Sequence, residues 1–100
     1  MAKSRSDIIG DIEAYIGRNG ARFGEWYVGV TGGPKATLFK AHKVKEKGDA
    51  WVVRLAKDEY ESRDIAEYFI TTRGTKGAVG SGRDTDLYVY AYKRKPYTKP

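Results

Sequence analysis

The hydrophobic periodicity of this sequence predicts an α+β fold, a small three-stranded sheet with three flanking helices in the order αβαβαβ, forming a single compact domain. Three segments in which large residues alternate with a period of two, and three in which apolar residues recur at helical spacing, carry that prediction. The strands also have bulky groups on both faces, so helices must cover much of the sheet.

The first helix is read over residues 7 to 19. Ile8, Ile9, Ile12, Tyr15 and Ile16 recur at helical spacing, Ser4 or Ser6 can cap the start, and Asn19-Gly20 is a stop signal. Gly10 and Gly17 each cost about 1 kcal/mol relative to alanine there, so either tertiary packing supports the helix or a neighbour approaches closely. Trp26, Val28 and Val30 alternate with Tyr27, Gly29 and Thr31 as a strand. Gly32-Gly33-Pro34 breaks it, and Pro34 opens a short helix through Leu38, Phe39 and Ala41. A lysine-rich loop runs to about Asp49. Trp51, Val53 and Leu55 then share one strand face, and Val52, Arg54 and Ala56 the other. Asp58 with Glu61 makes a capping-box-like start to a helix whose inner face is Ile65, Ala66, Phe69 and Ile70 and which runs until Gly74. Residues 73 to 86, RGTKGAVGSGRDTD, have almost nothing to bury. The clearest strand follows, with Leu87, Val89 and Ala91 alternating against Tyr88, Tyr90 and Tyr92. Strand directions stay open, because each connection is long enough for a parallel crossover without requiring one. The domain is expected over residues 1 to 94, with 95 to 100 a flexible basic tail.

The chain is 100 residues long with a formal net charge of +6, and the excess is localised. Residues 35 to 47 hold five lysines against one glutamate, and residues 93 to 99 hold four cations against no acid. Such clustering favours a polyanionic partner, although a charge run also serves as a solvated face. There is no cysteine, which excludes a disulfide framework and thiolate chemistry, and only His42 offers an imidazole. No apolar run approaches the ~20 residues that cross a bilayer, so no membrane partner is expected and the expected location is the cytoplasm.

Two segments invite a chemical reading. Glycine-rich loops cradle phosphates with backbone N–H groups, and Arg73, Lys76 and Arg83 within the one at 73 to 86 could neutralise them, yet it leads into a strand rather than the helix N-terminus a nucleotide loop needs. The phenols of Tyr88, Tyr90 and Tyr92, ending in Lys93, Arg94 and Lys95, form either a base-stacking platform or one wall of the core. His42 has no second ligand of its type and no recognisable triad partner. Glu67 lies beside the stripe of Ile65, Ala66 and Phe69, where a carboxylate either reaches a cavity at the sheet edge or points into water.

Tyr27-Val28-Gly29, a glycine-bearing turn, a helix with Leu38 and His42, a strand around Trp51 to Leu55, and Ala66-Glu67 on a helix follow one another over residues 26 to 70. This succession resembles the second half of the GIY-YIG nuclease domain. The resemblance implies that Tyr27 and Gly29 match the family's Tyr-Ile-Gly strand, His42 a polar residue of the next helix, and Glu67 the glutamate that binds one divalent metal. A nuclease of this kind would use Tyr27, His42 and Glu67 as catalytic residues, with magnesium on Glu67. Thr37 stands where the family has its arginine, and the helix at 7 to 19 stands where a Gly-Ile-Tyr strand should precede Tyr27. The strand Tyr88 to Tyr92 would supply the missing strand if it lay beside Trp26 to Thr31, as in a permuted version of the fold. Without the arginine, charge stabilisation at a scissile phosphate is lost, which points to a shared scaffold more than to cleavage.

The expectation is therefore a small basic nucleic-acid-binding domain, non-catalytic and without a cofactor, on a GIY-YIG-like scaffold. Its contacts would be Lys35, Lys40, Lys43, Lys45, Arg73, Lys76, Arg83, Lys93, Arg94 and Lys95. The alternatives are a protein-interaction domain, whose basic segments meet an acidic partner or keep it soluble, and a metal-dependent endonuclease.

Overall fold

In the computed structural model, which describes residues 3–20, 22–79 and 87–99, the sheet has four strands in the order β2-β4-β1-β3. The elements along the chain are α1 (Arg5–Arg18), β1 (Trp26–Thr31), a π-helical turn (Ala36–Ala41), β2 (Trp51–Leu55), α2 (Glu59–Tyr68) continued by a π-helical turn (Phe69–Arg73), β3 (Lys76–Gly77) and β4 (Tyr88–Lys93).

The three-stranded αβαβαβ alternation is thus corrected. A fourth strand, β3, stands between α2 and β4 and runs parallel to β1, with Tyr27 opposite Lys76 and Val28 opposite Gly77. Two residues carry no hydrophobic period, so the pattern that reveals the other strands cannot reveal this one. Close approach makes it: a Cβ on Gly77 would stand 1.9 Å from the Val28 carbonyl oxygen, where only glycine fits. The layering differs as well, because the two longer helices lie on one face of the sheet and the short turn at 36–41 covers the other.

Strand β4 is central. It pairs antiparallel with β1, from Trp26 opposite Lys93 to Thr31 opposite Tyr88, and antiparallel with β2, from Trp51 opposite Tyr92 to Leu55 opposite Tyr88. The pleat therefore sorts the side chains into two sets. Trp26, Val28, Val30, Val52, Val89 and Ala91 face the helices, where they pack with Ile8, Ile12 and Ile16 of α1 and Ile65, Ala66 and Phe69 of the second helical segment. Tyr27, Tyr90, Tyr92, Trp51 and Val53 face the other way, against Leu38, Phe39 and Val44.

Helix α1 begins where Ser4 Oγ accepts from the Asp7 N–H at 3.2 Å and ends where the Asn19 side chain donates to the Tyr15 carbonyl at 2.8 Å. Ile8, Ile12 and Ile16 are fully buried, each contributing about 2 kcal/mol of apolar transfer, which outweighs the helix cost of Gly10 and Gly17. Neither glycine has a neighbour within 4 Å of a built Cβ, so close approach is not why they are there. We expect Gly10→Ala and Gly17→Ala each to raise stability by about 1 kcal/mol in urea titrations.

The α2 start is capped by Asp58 Oδ1, which accepts from the Glu61 N–H at 2.8 Å. The helix stops at Gly74, whose φ of 79° is left-handed, with the Thr75 N–H bonded back to the Phe69 carbonyl. Glu13 joins α1 to this end, accepting from Arg73 and from the Tyr68 hydroxyl at 2.8 Å. Among the described residues, no helix is long and apolar enough to cross a membrane.

Candidate nucleic-acid interface

The tyrosine face of the sheet is built around one buried imidazole. Pro34 starts the turn after β1, and a wide bond from the His42 N–H to the Thr37 carbonyl, 2.9 Å, closes it as a π-helical turn. That turn lowers His42 onto β4. Its Nε2 is 2.7 Å from Tyr90 Oη, its Nδ1 is 2.6 Å from the Lys99 carbonyl oxygen, and Tyr92 Oη is 3.0 Å from the same Nδ1. A carbonyl only accepts, so Nδ1 carries the proton, and the Tyr90 hydroxyl donates to the free lone pair of Nε2. One neutral tautomer satisfies both. Burial accordingly lowers the pKa of His42 from its ordinary value, partly offset by the Lys99 carbonyl. Burial also raises the pKa of Tyr90, Tyr92 and Tyr27.

Tyr27 stacks at 5.3 Å on Tyr92 and at 6.2 Å on Tyr90. Tyr90 lies across Gly29 of the neighbouring strand, so closely that a Cβ there would meet its hydroxyl at 2.6 Å and its Cζ at 2.7 Å. With Tyr90 and Tyr92 buried to within 4% of completely, these phenols fill the core rather than offering a stacking platform.

The cationic surface is formed by the cover over these tyrosines. Lys35, Lys40, Lys43, Lys45 and Lys47 are all exposed, and none of them is within salt-bridge distance of a described carboxylate. Lys43 holds φ at 63°, a left-handed conformation that costs a non-glycine residue about 1–2 kcal/mol; it turns the chain so that the Val44 N–H reaches the Leu38 carbonyl. The end of the chain joins them. The Lys99 N–H donates to the His42 carbonyl at 2.8 Å, Thr98 is buried, and the Tyr97 hydroxyl donates to Asp49, with Lys45 Nζ 4.5 Å from the Tyr97 ring centre. Residues 95 to 99 of the expected tail are therefore in contact with the body. Burial works to raise the Asp49 pKa, but the Tyr97 hydroxyl, the Lys45 N–H and the charges of Lys45 and Lys95 together hold it below the usual carboxylate value.

The other cations named from the sequence stand elsewhere. Arg73 is paired with Glu13 at 2.7 Å, on the helix side. Lys93 sits 4.0 Å from Glu25 and donates to the Asn19 carbonyl, and Arg94 donates to the Gly24 carbonyl. Lys76 is exposed on β3, the strand farthest from β2. Arg83 lies outside the described residues. Lys47 and Lys99 belong to the basic surface but were not singled out in the sequence, where only their place in the charge runs marked them.

Of the residues the resemblance assigns, Tyr27 and His42 meet, with ring centres 4.8 Å apart, and Tyr90 and Tyr92 of β4 join them. Glu67 does not. It is exposed on α2, whose buried residues Ile65 and Ala66 lie against the opposite face of the sheet. No group of three potential metal-ligating side chains forms among the described residues.

Fold and surface together define a small α+β domain with a buried tyrosine–histidine centre under a lysine-bearing cover. No family model, curated protein or solved structure matches the chain.

Proposed function

We propose that this domain binds nucleic acid through the cover of the tyrosine face, using Lys35, Lys40, Lys43, Lys45 and Lys47 together with Lys95 and Lys99, and that it does so without cleaving it. The observation that carries this reading is a segregation of cations. On the helix side Lys3, Arg5, Arg54, Lys57 and Arg73 are ion-paired and Arg18 and Arg63 lie over the rings of Tyr15 and Tyr60, whereas the five lysines of the cover form no ion pair with a described carboxylate, Lys45 acting on Asp49 only at longer range. Unpaired ammonium groups gathered on one surface are what a run of phosphates neutralises, releasing its condensed counterions. The left-handed Lys43 supports the same reading, because a lysine stands there at a local conformational cost that glycine would avoid.

Kinship of the scaffold with the GIY-YIG domain is part of the proposal. It is supported by the antiparallel pairing of β4 with β1, which sets Tyr90 opposite Gly29 and Tyr92 opposite Tyr27 in the manner a permuted arrangement requires. Cleavage is not proposed, since Glu67 is on the far face from Tyr27 and His42 and Thr37 is committed to Thr31, with their hydroxyl oxygens 2.7 Å apart.

The test is affinity for a labelled nucleic acid as salt is varied. Neutralising four to six phosphates predicts a loss of about 10²–10³-fold between 50 and 200 mM salt. Lys40→Ala and Lys45→Ala should each weaken binding and flatten the slope by about one, while Glu67→Ala leaves both unchanged. A flat salt response, or no binding at low salt, overturns the proposal.

A further inference from the structure

Beside the lysines, the cover leaves an apolar pocket of about 160 Å³ between Pro34, Lys35, Leu38, Phe39, Trp51 and Val53. Its aromatic walls are held in place. Phe39 and Trp51 meet edge to face with ring centres 5.2 Å apart, and the indole N–H donates to the Glu46 carbonyl at 3.0 Å, which fixes the ring before any ligand arrives. Leu38 and Val53, which also belong to the core under the cover, complete the lining.

We propose that this pocket receives one unpaired nucleobase, so that the ligand of the basic surface is single-stranded nucleic acid. The inference rests on the proposed function and deepens it. The pocket's walls are apolar, so Lys35, exposed as a whole, lines it with its methylene stem; Lys40, next to Phe39, is exposed on the same turn. An apolar recess bordered by the rings of Phe39 and Trp51 and flanked by lysines suits one flat base packed against them, with the phosphates on either side meeting the cations. An apolar peptide side chain would fill the recess and leave the lysines without a partner. A base in a duplex is stacked on both sides and cannot enter without being flipped out. Every base has a π-face, so recognition here is tolerant of sequence.

The probe is a single-stranded oligonucleotide, compared at low salt with the same strand carrying abasic residues and with a hairpin duplex. The intact strand should bind about 5- to 100-fold more tightly than the abasic one. It alone should change Trp51 emission, since Trp26 is fully buried and does not respond to a surface ligand. Phe39→Leu keeps an apolar side chain at that position and should remove most of the preference for the intact strand. Trp51→Phe, which keeps an aromatic residue on β2, should reduce that preference and abolish the emission change. Equal affinity for intact and abasic strands, or tighter binding of the duplex, overturns the base pocket and leaves the lysine surface standing. No binding of any of the three overturns both.

Discussion

Replacing Gly29 by alanine is expected to destabilise the domain by about 2–3 kcal/mol, which for a chain of this size lowers Tm by roughly 10–20 °C. The cause is local. The new methyl group would stand 2.6 Å from Tyr90 Oη, 2.7 Å from Cζ and 3.0 Å from Cε1, inside the contact distance of all three atoms. A long side chain at a surface would swing aside, but this ring is hemmed in by His42, Tyr27 and Tyr92, and its hydroxyl is bonded to His42. Moving it leaves the Nε2 lone pair unsatisfied and opens space beneath the cover. A double-mutant cycle with Tyr90→Val checks the assignment: the penalty of Gly29→Ala should shrink once the ring is gone. An unchanged penalty would place the cost in the backbone instead. Gly10→Ala supplies the contrast, a glycine replacement of opposite sign on an open helix face.

The second large effect concerns pH. His42 is the chain's one histidine and is held neutral in the fold, with a pKa below the ordinary value of about 6.5 that it regains on unfolding. Between those two values the unfolded chain binds the proton and the folded chain does not, so stability rises with pH across that window. It is fully present above about 6.5 and is lost as pH falls through the folded value, with a slope of at most about 1.4 kcal/mol per pH unit. Asp11 and Asp49, with pKa values held below the usual carboxylate range, contribute losses of the same sign only below about pH 4, so the slope just below pH 6.5 belongs to His42. His42→Ala should abolish that slope and cost about 3 kcal/mol at pH 7, because Tyr90 loses its acceptor, the Lys99 carbonyl loses its donor and a cavity replaces the ring. Urea unfolding midpoints from pH 5 to 8 measure this, and the NMR titration of the imidazole measures the pKa directly. A midpoint at or above 6.5 would contradict the buried neutral tautomer.

These two residues mark what the sequence makes legible. Alternation along Trp26–Thr31, Trp51–Leu55 and Tyr88–Lys93 reveals each of the three longer strands, because each has two chemically distinct faces and a period of two records them. The Ser4 and Asp58 caps are legible because one oxygen and one N–H three residues later suffice. Strand order is not, since it depends on which faces match at long range; the central place of β4 follows from Tyr90 filling the space over Gly29, a fit invisible in either segment alone. His42 illustrates the same limit. As a lone imidazole it lacks every local sign of a site, yet it is the centre on which two tyrosines and the end of the chain converge. Charge was legible as a run of lysines at 35 to 47, while the loss of Arg73 and Lys93 to Glu13 and Glu25 was not, because pairing across about 60 residues leaves no trace in spacing. The sequence places Phe39 on a short helix and Trp51 on one face of a strand; the pocket they line together with Pro34, Leu38 and Val53 depends on the turn at 36–41 meeting β2 in space, which neither segment records.

The central position of β4 bears on how the chain is made. Strands β1 and β2 do not pair with each other, and each waits for residues 88 to 93 to supply its long hydrogen-bonded edge. During synthesis β1 therefore has only the two-residue β3 to pair with, and β2 has no strand partner, until residues 88 to 93 emerge, which makes assembly late and all-or-none rather than stepwise. Stalled or shortened chains lacking that segment should behave as unfolded polypeptides, handled by chaperones or degraded, however much of the helical half they contain.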